Sequence, residues 1–122
     1  MSTAELRVTR DPALALVVRI FVGAVAERWS VSQAARDDLR LVASELFAGA
    51  VEDGAGDDVT FTVTSEGDRV SLSASGVDGL TAGDDPDETW GGRLGLIRAL
   101  FPTAEVGDSV SISVETEGSP TP

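Results

Sequence analysis

Residues 59–74 read VTFTVTSEGDRVSLSA, and this stretch decides the kind of fold the chain can adopt. Val59, Phe61 and Val63 alternate with Thr60, Thr62 and Thr64. Val70, Leu72 and Ala74 then alternate with Ser71 and Ser73. A period of two puts every apolar side chain on the same side of an extended strand. Between the two runs, Glu66-Gly67-Asp68 supplies turn chemistry. The stretch therefore predicts an antiparallel hairpin with one buried face, which must be covered by something else in the chain.

Upstream, the period changes to that of a helix. Leu6 and Val8 suggest a short opening strand, and Asp11-Pro12 reads as a helix start with aspartate as N-cap. Leu14, Val17, Val18, Phe21, Val22 and Val25 recur at helix spacing and can cover one sheet face. Leu16 and Ile20 widen this stripe toward a second buried contact. Ser30 and Gln33 have the spacing of a capping box, which predicts a second helix running to about Asp53 and closed by Gly54. Its buried stripe is Ala35, Leu39, Val42, Leu46 and Ala50, with Phe47 and Val51 beside it.

Downstream, residues 76–89 are rich in Gly and Asp and read as a long loop. Trp90, Gly91 and Gly92 lead into a third helix from about Leu94 to Leu100, and Pro102 stops it. Val110, Ile112 and Val114 give a last strand, and 117–122 reads as a disordered tail. Strand, helix, helix, hairpin, loop, helix, strand predicts one domain over 1–116. Its expected architecture is an α+β two-layer sandwich: a mixed, mostly antiparallel sheet with helices on one face. Trp29, just outside a helix start, is expected to cap the core.

The composition narrows the chemistry. The chain has 122 residues, no cysteine and no histidine, and all nine of its Lys+Arg residues are arginine. Disulfides, thiolate metal sites, histidine bases, a phosphate-cradling P-loop and a Schiff-base lysine are thereby excluded. A net charge of −12 argues against nucleic acid and anionic membrane as partners. No apolar run approaches a membrane span and no signal pattern opens the chain, so the expected location is cytoplasmic.

The second helix carries the candidate chemistry. Glu45, Gly49 and Asp53 stand at i, i+4 and i+8, along one side of the helix and next to its apolar stripe. Read from the helix alone, Glu45 and Asp53 are a solvated rim. The acidic run Asp84 to Glu88 lacks the spacing of a calcium loop and reads as a solvated segment.

Two longer stretches change the weight of these residues. LRLVASELFAGAVED over 39–53 resembles the N-box helix of the GHKL (histidine-kinase-like) ATPase superfamily, in its anti-sigma factor and serine-protein kinase branch. WGGRLGLIRAL over 90–100 resembles that branch's second glycine box, and Glu27-Arg28-Trp29 is similar to the end of its opening helix. The resemblance spans nearly the whole chain and implies the Bergerat-like ATP-binding fold, with ATP and magnesium as cofactors. It implies that Glu45 is the catalytic base, with Gly49 and Asp53 one and two turns further along the same site. Where the family places the asparagine that binds magnesium, this chain has Gly49. The family's adenine-binding aspartate falls at Ser75, with Val77 and Gly79 at the glycines that follow, and Asp78 serves in a rival register. Gly92, Arg93, Gly95 and Leu96 match the phosphate-binding helix start.

Three functions follow. The first is a regulatory protein with a degenerate ATP-binding domain that acts by partner switching on a sigma factor or an antagonist-like protein. The second is a working ATP-dependent anti-sigma factor serine kinase. The third is an unrelated small α/β binding domain. Kinase activity is left open, with Gly49 against it, since phosphoryl transfer depends on neutralising charge. The acidic surface would steer a basic partner. A homodimer is implied by the resemblance only.

Overall fold

A computed structural model describes residues 1–53, 58–77, 93–106 and 109–116. The chain opens with strand β1 (Ser2–Val8) and a 3₁₀ turn (Pro12–Leu14). Helices α1 (Ala15–Arg28) and α2 (Gln33–Asp53) follow. The hairpin is β2 (Val59–Glu66) and β3 (Arg69–Ser75), then come α3 (Arg93–Leu100), a two-residue strand β4 (Glu105–Val106) and β5 (Ser109–Glu115). Among the described residues, no helix is long and apolar enough to cross a membrane.

The strands form one sheet in the order β1-β2-β3-β5-β4, and every pairing is antiparallel. The expected mixed sheet is thus corrected to an antiparallel one among the described residues. Adjacent strands in the order are joined by a hairpin or by a return over one face, so no parallel crossover is needed. The hairpin register pairs Glu66 with Arg69 around a two-residue loop, and Gly67, the first of the two, takes φ +62°. Glycine at that place is what a type II′ turn requires.

The alternation read in 59–74 is realised as two faces. Val59, Phe61, Val63, Val70, Leu72, Ala74, Val110 and Ile112 are all buried, and they share the core with α1, α2 and Ile97 of α3. The other face carries Thr60, Thr62 and Thr64, then Ser71 and Ser73, then Ser111 and Ser113. The Ser71 and Ser113 hydroxyls meet there at 2.8 Å. The result is an α+β two-layer arrangement, with helices on one sheet face and hydroxyls on the other.

Helix starts and stops differ from expectation in two informative places. Asp11 caps as read, its carboxylate accepting from the Ala13 N–H at 2.9 Å, but the first turn is 3₁₀. The capping box does not form. Ser32, not Ser30, caps α2, its hydroxyl accepting from the Ala35 N–H at 3.2 Å. Ser30 instead ends α1 in the left-handed region at φ +64°. Its N–H reaches the Glu27 carbonyl at 3.1 Å, and the Val31 N–H reaches the Ala26 carbonyl at 3.0 Å. That pair of bonds is a Schellman ending, and the buried Val31 and Ala26 seal it. Trp29 packs against the core as expected.

Leu16 and Ile20 do not find the second buried contact. They are 61% and 59% exposed, and Val17 is also exposed, so the buried line of α1 narrows to Val18, Val22 and Ala26. Val77, inside the presumed long loop, is buried, whereas residues 78–92 and 117–122 lie outside the described residues, as do Gly54 and Trp90.

One arginine joins three parts of the chain. The Arg10 guanidinium donates to the Ala50 carbonyl and to the Gly76 carbonyl, each at 2.9 Å. It thereby ties the last turns of α2 to the exit of β3, at the negative end of the helix dipole. Gly76 has φ +82°, and a Cβ there would lie 2.7 Å from the Asp58 carbonyl oxygen. The approach of the strand exit to residue 58 requires glycine.

Three outcomes are expected in urea unfolding at unchanged m-value. Arg10→Ala should lose about 3–6 kcal/mol, since its two hydrogen bonds from a charged donor contribute about 1.5–3 kcal/mol each. Arg10→Lys should recover little of it, because one ammonium cannot span both carbonyls in the same planar fork. Ser30→Gly should gain about 0.5–1 kcal/mol by relieving the left-handed strain.

Candidate functional site

Helix α2 is held on three sides. Leu39, Val42, Leu46 and Ala50 face the sheet, and Ala43 and Phe47 complete the buried stripe. Arg36 and Arg40 lie on the flank toward α1, where Gly23 of α1 is buried against the Arg40 stem. At 3.6 residues per turn, Glu45 and Gly49 fall on the opposite flank, away from α1. Helix α3 also packs against α2 and sends Ile97 into the common core, so both helices lie on the same sheet face. The flank left for α3 is the one that bears Glu45 and Gly49.

Each residue singled out in the sequence can now be placed. Glu45 is half-buried on α2, and Gly49 is buried one turn later. Asp53 is the last residue of α2 and Arg93 the first of α3. Gly95 is exposed on α3, with no atom of the described residues within 4 Å of where a Cβ would stand, and Leu96 beside it is 37% exposed. Ser75 closes β3, paired with Thr60 and Ser109. It is exposed, and its place in the alternation is that of Ser71 and Ser73, on the face away from the helices. Ala74 and Val77 are the buried residues at this exit. Asp78, Gly79 and Gly92 lie outside the described residues.

The structure therefore brings the Glu45 helix and the Gly95 helix onto one layer, and it does not bring Ser75 to that layer. No protein-family model matches this chain, and no curated protein matches it.

The donor set available to a metal is thin. Gly49 offers no side-chain oxygen, and among the described residues no group of three or more acidic side chains comes together to hold an ion. Magnesium is commonly held by one or two carboxylates together with substrate phosphates and waters, and Glu45 is the carboxylate this flank would offer it.

Two features escaped the sequence reading. Arg10 was passed over because its partners are carbonyls 40 and 66 residues away. The second is a trough between α1 and α2, lined by Arg19, Arg36 and Arg40. Its signal was present as Arg19 and Gly23 four apart on one helix and Arg36 and Arg40 four apart on the next, but nothing in either helix alone said that these faces meet.

The space around Gly95 yields a test of its role. Glycine inside a helix is destabilising by about 0.5–1 kcal/mol relative to alanine. With nothing to meet the new methyl, Gly95→Ala should raise the unfolding free energy by about that amount, read from the urea midpoint. A loss of stability instead would mean that a neighbour closes on that position.

Proposed function

We propose that the protein is a regulatory protein of the anti-sigma factor kind, a Bergerat-like domain with a degenerate nucleotide pocket that acts by protein–protein partner switching. Support for the ancestry comes from the resemblance of residues 39–53 and 90–100, together with helices layered on one face of a sheet. The observation that carries the loss of chemistry is Gly49. It is buried on the Glu45 flank, at the position where the family's asparagine would ligate magnesium.

The physical consequence is electrostatic. A triphosphate needs its charge offset by a metal or by several cations. Gly49 removes a metal ligand, and the acidic residues Asp84, Asp85, Asp87 and Glu88 add negative charge to the segment before α3. A hydroxyl such as that of Ser75 would replace only part of a hydrogen bond to an ionised acceptor, which contributes about 1.5–3 kcal/mol. Glu45 is then a flank residue of a protein-binding domain rather than a base.

A partner surface is also at hand. Leu16, Val17, Ile20 and Leu41 are exposed on α1 and α2, on a chain whose net charge is −12. Exposed apolar side chains gathered on neighbouring helices suit protein recognition better than catalysis.

Titration calorimetry with Mg-ATP separates this reading from a working serine kinase. The expected heats are those of dilution. Saturable micromolar binding would overturn the degenerate pocket and restore the kinase, with Glu45 as its base.

A further inference from the structure

The trough between α1 and α2 opens over the side of α2 turned from the sheet, and it gathers arginines in a chain that is acidic overall. Two cavities open along it, of about 540 and 360 Å³, and they share Arg19 and Arg40 as lining residues. They follow α2 from Gln33 to Ser44, which is about 17 Å at the helical rise. Three of the nine arginines of a chain with net charge −12 converge on this one feature.

The convergence has a cause in the packing. Gly23 is buried, and a Cβ there would stand 2.9 Å from Cδ of Arg40. Glycine lets the Arg40 stem cross α1 closely, which fixes its guanidinium in the trough. Arg40 pairs with Asp37 one turn back, and Arg36 approaches Glu27 at 3.8 Å. Arg19 has no ion-pair or hydrogen-bond partner among the described residues. Three cations thus face two carboxylates.

A further observation points to a ligand. Leu41 lines the larger cavity and Ile20 the other, at 41% and 59% exposure, so the trough has apolar walls beside its charges.

We propose that this trough is the docking site of an acidic, amphipathic segment of a partner protein. A partner carboxylate takes the Arg19 guanidinium, and apolar side chains of the same segment cover Leu41 and Ile20. Arginine favours this ligand because its planar fork binds a carboxylate with two parallel hydrogen bonds. A helix in a groove, read by residues three and four apart, is a geometry that the trough's length accepts. The net charge of the chain repels acidic segments elsewhere on its surface, so the trough also selects the position. The proposal rests on the α1/α2 packing and not on the family resemblance, so a null Mg-ATP titration and a positive one leave it equally standing.

The test uses the full chain and a fluorescein-labelled twelve-residue peptide with glutamate and leucine at helical spacing, followed by anisotropy. A control peptide replaces every glutamate by glutamine, and sodium acetate is titrated as a competitor. The glutamate peptide is expected to bind saturably, at least tenfold more tightly than the glutamine peptide. Arg19→Gln, at a side chain that holds nothing else together among the described residues, is expected to weaken it at least fivefold with the urea midpoint unchanged. Leu41→Ser is expected to weaken both peptides. Competition by acetate at millimolar concentration, equal binding of the two peptides, absence of binding, or indifference to Arg19→Gln would each overturn the proposal.

Discussion

Helix α2 can be seated in only one way, because three neighbours constrain it at once. Its stripe of Leu39, Val42, Leu46 and Phe47 is closed off from water against the inward residues of β2 and β3. Full burial of each such side chain contributes about 1.5–3 kcal/mol, so rotation of the helix by one residue would expose several of them. With the stripe fixed on the sheet, α1 and α3 can only take the two flanks. Arg10 then fixes the helix along its axis, by holding the Ala50 carbonyl and the Gly76 carbonyl together. What lies on each flank follows from this seating: Glu45 and Gly49 on one side, Arg36 and Arg40 on the other.

The two flanks have opposite character. On the Glu45 flank the chain has a half-buried acid and a buried glycine. On the α1 flank, the packing of Gly23 against Arg40 gathers cations in a molecule that is otherwise strongly acidic. On the sheet, the face turned from the helices carries hydroxyls together with Glu5 and Arg7 of β1.

That hydroxyl face explains why the fold can leave one side of its sheet uncovered. Threonine suits a strand, and alternating Thr and Ser offer the solvent polar groups without charge repulsion between neighbouring strands. The Ser71 and Ser113 pair is one such cross-strand contact. The helices are therefore needed on one face only, and the core stays a single layer of apolar side chains between them and the sheet.

How much of this was legible in the sequence depended on the range of the interaction. The hairpin over 59–74, the helix ending at Asp53 and the strand at Val110, Ile112 and Val114 were all readable, because periodicity is a local property of neighbouring residues. The flank of α2 that carries Glu45 and Gly49 was readable for the same reason. Ser30 was misread because a serine three residues before a glutamine fits a capping box and a Schellman ending equally well at the level of sequence. Only the Val31 and Ala26 contact, made in the core, chose between them. The antiparallel course of every strand, the reach of Arg10 and the meeting of Arg19 with Arg40 were decided by the tertiary structure alone. Each joins residues whose separation along the chain is bridged by packing, and local pattern carries no record of which faces will meet.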